Sequence, residues 1–213
     1  MMQAPAQTIS QAIRDQRRDR ILQVARAVFF EAGYASATMS TIAARLGGSK
    51  ATLYAYFKSK EELFRAIVCE QCALVQGLVE DPKPGEDVRQ ALIRIGERLL
   101  SLLMADASIR TLRLIVEEGP RAPELAALFM QAGPQLGERR LAEFFAEACE
   151  DGRLKPVDPV TAARQFSALV KGNLHLRGLL GLIDDPQPEV IRAEVEAAVD
   201  MFLAAYGPAP VAG

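Results

Sequence analysis

Tryptophan is absent from this chain of 213 residues, and histidine occurs once, at His175. There is no glycine-rich loop to cradle a phosphate and no nucleophile in a recognisable elbow. With a lone histidine set between Leu174 and Leu176, the sequence offers no catalytic constellation, no cofactor motif and no sign of an enzyme. Strand signals are missing as well: long period-two runs of β-branched residues never appear, which leaves an all-α fold class. No stretch approaches the roughly 20 apolar residues needed to span a bilayer, so no membrane partner is expected. The opening residues, MMQAPAQTISQAIRDQRRDR, lack the apolar core of a signal peptide. Residues 1–13 are therefore expected as a flexible or partly helical arm, and the protein as cytoplasmic.

Cysteine is scarce too, limited to Cys69, Cys72 and Cys149. The Cys69–Cys72 pair has C-x-x-C spacing but lies within a helical run. A redox pair instead sits at a helix N-terminus, where the helix lowers a thiol pKa. One such pair also falls short of the four ligands of a structural zinc site, so no metal is expected. The three read as ordinary packed thiols, with a redox or thiol-reactive sensor at Cys69 and Cys72 as the alternative.

The net charge is only −2, yet it is unevenly spread. Between Arg14 and Arg65 there are ten basic and five acidic residues, a net +5, which leaves −7 for the rest of the chain. A basic head on an acidic body suits a protein that docks on phosphate through one end.

What is present is concentrated between Thr38 and Phe57, TMSTIAARLGGSKATLYAYF. Thr38 is placed to cap a first short helix with Met39, Ile42, Ala43 and Leu46 inward, at the three-to-four spacing of one helical face. Gly47 and Gly48 end it. Ser49 then caps a second helix, with Leu53 and Phe57 as its buried stripe. The opposite face carries Lys50, Ala51, Thr52, Tyr54 and Tyr56, a set rich in donors to phosphates and base edges. Two short helices joined by a glycine turn form a helix-turn-helix unit, whose second helix enters the major groove. The candidate DNA-binding residues are thus Thr38, Ser49, Lys50, Ala51, Thr52, Tyr54, Tyr56 and Lys60. Thr38 and Lys60, each at a helix start, are expected to hold phosphates.

Arg20 to Val68 resembles the N-terminal DNA-binding domain of the TetR family of bacterial transcriptional regulators. The matching residues are Ala25, Phe29, Gly33, Tyr34, Thr38, Ile42, Ala43, Gly47, Ser49, Lys50, Leu53, Tyr54, Phe57, Lys58, Lys60, Leu63 and Phe64. Two positions depart from the family pattern. Gly48 stands where the family usually has valine, and Ala51 stands where glycine is common. The resemblance implies a repressor that binds palindromic double-stranded DNA and leaves it when a small-molecule effector binds the body. The alternative is a helical binding protein or enzyme whose helix-turn-helix does not bind DNA.

Helical patterns continue along the chain. A first helix is expected from about Ile13 to Ala32, with Ile21, Ala25, Val28, Phe29 and Ala32 inward and Gly33 ending it. Ser59 and Glu62 form a capping box for a long helix over Glu61–Val79. Residues 81–87, DPKPGED, make a break. Further helices follow near Val88–Met104, Ser108–Glu118, Pro123–Ala132 and Gln135–Glu150. Asp158–Pro159 and Asp185–Pro186 are read as caps with first-turn prolines for the last two helices, to about Leu180 and Tyr206. The domains expected are a head at 14–65, a ligand-binding and dimerisation body at 66–207, and a frayed tail at 208–213.

The resemblance implies an effector cavity among the body's helices. Polar residues on apolar helices are candidates to line it, namely Arg113, Glu117, Asn173, His175 and Arg177, with Met104, Phe129, Phe144 and Phe166 as apolar walls. The last two helices carry more apolar residues than one stripe needs. From this a homodimer is expected through Ala163, Phe166, Val170, Val195, Ala198 and Phe202, as a four-helix bundle about a two-fold axis.

Overall fold

A computed structural model of the chain describes residues 5–79 and 87–208. Among these residues there are ten α-helices and no strand: α1 (Pro5–Ser36), α2 (Met39–Leu46), α3 (Lys50–Tyr56), α4 (Lys60–Ala73), α5 (Val88–Met104), α6 (Asp106–Glu118), α7 (Pro123–Ala132), α8 (Pro134–Glu150), α9 (Pro159–Leu179) and α10 (Pro188–Tyr206). Helix α1 starts at Pro5, ahead of the expected Ile13 and inside the segment expected as an arm, and is broken at Gly33. Helix α4 does not continue as one α-helix to Val79 but tightens into a 3-10 turn over Leu74–Gly77. The break read at residues 81–87 lies outside the described residues except for Asp87, whose carboxylate caps α5 by accepting from Gln90 N at 2.8 Å. Of the expected tail, only Pro208 is among the described residues.

The expected start of the last helix is corrected. Asp185 adopts a φ of 48° and does not cap α10; Gln187 precedes the helix and Pro188 occupies its first turn. The start of α9 behaves as read, because the Asp158 carboxylate accepts from Thr161 N at 2.7 Å. Hydrogen bonds from Thr161 hold that carboxyl below its usual range.

Two compact units emerge. The first comprises Met1–Glu70 with Leu114–Leu128, and the second comprises Gln71–Arg113 with Phe129–Gly213. In the first, Ile21, Leu22, Ala25, Val28 and Phe29 of α1 are buried, whereas Ala32, expected inward, is exposed because the helix is about to break at Gly33. Phe29, Tyr34 and Phe64 form an aromatic knot with centroids 5.0 to 5.6 Å apart. Ile42, Leu53, Phe57, Leu63 and Ile67 of the same unit are also fully or nearly buried. A distant piece of chain completes this unit: Leu114, Ile115, Leu125 and Leu128 are buried, and the buried Glu118 carboxylate accepts from Ala35 N at 3.2 Å.

The second unit is built around α5, α8, α9 and α10. Phe145, Phe166 and Phe202 sit at its centre with centroids 5.1 to 5.8 Å apart. Burying a phenylalanine side chain contributes roughly 1.5–3 kcal/mol before the entropy of ordering it is counted. Gly96 lets α5 approach α10 closely, since a Cβ there would lie 2.6 Å from Val195 Cγ1.

Candidate functional site

The first candidate site is the surface made by α2 and α3. Thr38 Oγ1 accepts from Thr41 N at 3.1 Å, and Thr41 Oγ1 accepts from Thr38 N at 3.1 Å, so two otherwise orphaned donors are satisfied by hydroxyls. Helix α2 stops at Gly47, whose φ of 67° is the left-handed conformation that glycine adopts without steric penalty. Ser49 Oγ accepts from Thr52 N at 3.2 Å and starts α3. Leu53 and Phe57 are buried, which turns Lys50, Ala51, Tyr54 and Ala55 out to solvent with Thr52 and Tyr56 half-buried beside them. Tyr54 is 43% exposed and Lys50 has no ion pair among the described residues, so both are presented outward.

Not every basic residue nearby is available in the same way. Arg45 Nη2 donates to Glu31 Oε1 at 2.8 Å, and this guanidinium holds the Glu31 carboxyl below its usual range. Arg26 is paired with Glu70. Lys60 Nζ lies 2.8 Å from Tyr34 O and 3.4 Å from Ala35 O, and 4.2 Å from the centroid of the Tyr34 ring. Its ammonium therefore caps the carbonyl end of α1, where a cation is favoured. The hydroxyl of Tyr34 donates to Glu61 Oε1 at 3.4 Å, and burial followed by the Glu61 charge pushes its pKa well above the ordinary tyrosine value. Ser59 Oγ accepts from Glu62 N at 3.2 Å as expected, but the Glu62 carboxylate reaches back to Lys58 N at 2.6 Å rather than to the Ser59 N–H.

The second candidate site is a cavity of about 370 Å³ in the second unit. Its apolar wall comes from Val75 and Leu78, from Leu99, Leu102 and Leu103 of α5, from Leu112 of α6, from Phe129 and Met130 of α7, and from Leu141 of α8. Polar groups reach it from Gln71, Ser108, Thr111, Glu138, Arg164, Ser167, Lys171 and His175. Gln71 Nε2 donates to Ser108 Oγ at 3.1 Å, and Thr111 Oγ1 donates to Ala107 O at 2.7 Å. Glu138 Oε1 accepts from Arg164 Nη2 at 2.9 Å. His175 is half-buried, and burial, with the Lys171 charge as the second cause, holds its imidazole below the ordinary pKa. Among the described residues no group of histidine, cysteine and carboxylates is arranged to hold a metal, and no helix is long and apolar enough to cross a membrane.

Residues 21–67 match the family model described as bacterial regulatory proteins of the tetR family, and residues 90–208 match that of the AefR-like transcriptional repressor C-terminal domain. The chain belongs to the TetR family. It is a helix-turn-helix transcriptional regulator of a non-enzymatic family whose members are typically repressors. Among solved structures it is similar to the flavonoid-responsive regulator FrrA, with 37% identity, a TM-score of 0.78, and 92% of this chain and 100% of that chain covered. It is also similar to SmeT, the repressor of the Stenotrophomonas maltophilia multidrug efflux pump SmeDEF, with 29% identity, a TM-score of 0.66, and coverage of 91% and 97%. The regulator UidR of Escherichia coli is 31% identical over 139 residues, 65% of this chain and 67% of that protein.

Within this TetR fold, the residues singled out from sequence fall into distinct places. Of the α3 set, Lys50, Ala51 and Tyr54 are exposed, and Thr52 and Tyr56 are half-buried beside them. Of the nine cavity candidates, Phe129 and His175 line the cavity. Met104, Phe144 and Phe166 are buried in the core instead. Arg113 donates to Gly178 O and Leu179 O at 2.8 and 2.9 Å, which caps α9. Glu117, Asn173 and Arg177 are exposed and do not line the cavity. Sequence reasoning missed Arg164, Ser167 and Lys171. Their spacings of three and four residues, which also lead on to His175, were the available signal.

The six residues expected at a dimer interface are corrected outright. Ala163, Phe166, Val170, Val195, Ala198 and Phe202 are all buried within the one chain, none more than 6% exposed, because they face the unit's own core. The apolar surface of these helices is Val160 and Leu176 on α9 and Val190 and Met201 on α10, exposed by 39 to 63%. Cys72 is buried and lines the cavity, Cys69 is exposed and Cys149 is half-buried, and none is in a disulfide.

Proposed function

We propose that this protein is a repressor that binds a palindromic operator as a homodimer, reads it through α3, and leaves it when a small molecule occupies the cavity of the second unit. The observation that carries the reading is the outward face of α3, where Lys50, Ala51, Thr52 and Tyr54 gather on a helix held by buried Leu53 and Phe57. Lys50 supplies phosphate charge, and Thr52 and the tyrosine hydroxyls supply hydrogen bonds to base edges or backbone. Ser49 and Thr38 present hydroxyls at the two helix starts. Selection from a random duplex library, followed by binding titrations at several salt concentrations, tests this reading. A two-fold symmetric consensus and a steep salt dependence are expected. Binding that stays at the non-specific level for every duplex would end it.

Pairing is required because one recognition helix reads too few base pairs. Two heads must sit about one helical turn of DNA apart, ~34–36 Å. The outer apolar residues of α9 and α10, Leu176 and Met201 in particular, are the surface for that pairing. Leu176→Glu with Met201→Glu should give a folded monomer that has lost operator affinity, read by light scattering and titration. The effector class to test first is the flavonoids, since a regulator similar over its full length is described as responding to them. Release follows from differential affinity of the effector for two states, typically ~1–3 kcal/mol of coupling. Helix α4, together with Gln71 and Cys72 near its end that line the cavity, is one continuous element that carries the change.

A further inference from the structure

The polar groups of the cavity are unbalanced in charge. Among its described lining residues the one carboxylate, Glu138, is already engaged by Arg164 at 2.9 Å. Lys171 also lines the cavity and has neither an ion pair nor a hydrogen bond among the described residues. Ser108 accepts from Gln71, which leaves its hydroxyl hydrogen free to donate. A paired acid beside an unengaged ammonium and a spare hydroxyl donor calls for a guest that brings acceptors and negative charge. The rest of the wall, with Leu99, Leu103, Phe129 and Leu141, calls for an apolar body.

We propose that the cavity takes an amphipathic organic anion, with its apolar body against the leucines and Phe129 and its carboxylate or phenolate at Lys171. The proposal rests on the reading of this cavity as the effector site, and the two can fail separately. His175 stands close along α9, past the break at Gly172, where φ is 46°. Its imidazole is held below the ordinary pKa, so it is uncharged at neutral pH and serves as a hydrogen-bonding group. The unpaired positive charge at this wall therefore belongs to Lys171. A neutral apolar guest would make no use of that ammonium, and a cationic guest would add a second like charge beside it.

Three probes with one apolar body separate the cases: 2-naphthylacetate, 2-naphthylethanol and 2-naphthylethylamine. Their fluorescence is read against the full-length protein, which contains no tryptophan. The acetate should bind roughly tenfold more tightly than the alcohol, the scale of a charge-assisted hydrogen bond, and the amine most weakly. Lys171→Met should remove most of the advantage of the acetate and leave the alcohol nearly unchanged. Lys171→Glu should invert the order, an outcome that a general loss of structure does not produce. Lys171 is exposed, so both variants should keep the wild-type melting temperature. An alcohol or amine that binds as tightly as the acetate, or an acetate affinity untouched by Lys171→Met, overturns the anion proposal and leaves the cavity reading intact. So does failure of all three probes to bind. Ser167→Trp fills the cavity and should abolish all binding; binding that survives it places the probes elsewhere and removes the cavity reading itself.

Discussion

The two units present their candidate sites in opposite ways. In the first, the candidate groups stand outside the core: α3 buries Leu53 and Phe57 and turns Lys50 and Tyr54 to solvent, all within one short stretch of chain. In the second, the candidate space is inside, and its wall is assembled from α4 through α9. A surface reader tolerates change in its outward residues without loss of fold, because those residues hold up nothing. A cavity shares its walls with the core, so residues that shape the site also stabilise the unit. The contrast predicts which substitutions alter function alone and which alter stability first.

The largest effect is expected in the core of the second unit. Phe202→Ala should cost roughly 3–5 kcal/mol in urea denaturation, and Phe202→Glu should fail to fold rather than yield a soluble monomer. A folded, monomeric Phe202→Glu would show that α10 faces outward and would erase the contrast. Next comes Glu118→Ala in the first unit, which leaves the Ala35 N–H without its carboxylate partner and should cost roughly 1–3 kcal/mol. A denaturation midpoint equal to wild type would mean that the Glu118 bond to Ala35 N adds nothing to the unit.

Lysines on the first unit divide the comparison more finely. Lys50→Ala should leave the melting temperature in place and lower the salt slope of operator binding by about one unit. Lys60→Ala should instead lose up to about 1 kcal/mol of stability, since its ammonium caps α1 and lies over Tyr34. Should Lys60→Ala change the salt slope and not the stability, its ammonium belongs to DNA after all.

The smallest effect belongs to His175. Its folded pKa is held below 6.5, so the unfolded chain takes up that proton first. Stability is unaffected above that value and declines as pH falls through it. Melting temperatures at about pH 7.5 and about pH 5.5 should diverge less for His175→Gln than for wild type.

The same contrast explains what is legible in the sequence. Thr38, Ser49, Gly47 and the Leu53–Phe57 stripe carry local signals, because caps, turns and faces are decided within one or two helical turns. The helices of the body are readable on the same grounds, from Asp158 and their apolar periods. The cavity is not. Whether Phe166 faces a void or a neighbour depends on which helix lies opposite, and no local pattern records that. Lys171 borders the cavity while staying exposed, so no burial signal marks it; Arg113 has the look of a cavity polar group, and only the fold brings the carbonyls at the end of α9 to it. The interface residues are misplaced for a related reason: an apolar face says that it is covered, not by which partner.

The segment Leu114–Leu128 has a consequence for how this protein can be cut and recombined. The DNA-reading head is not one uninterrupted stretch of gene. A truncation after Glu70 would discard four buried side chains and the carboxylate that receives Ala35 N–H. A chimera that grafts this head onto a relative's body with one crossover would therefore pair it with a foreign insert. The operator preference of this protein should transplant only when both pieces travel together.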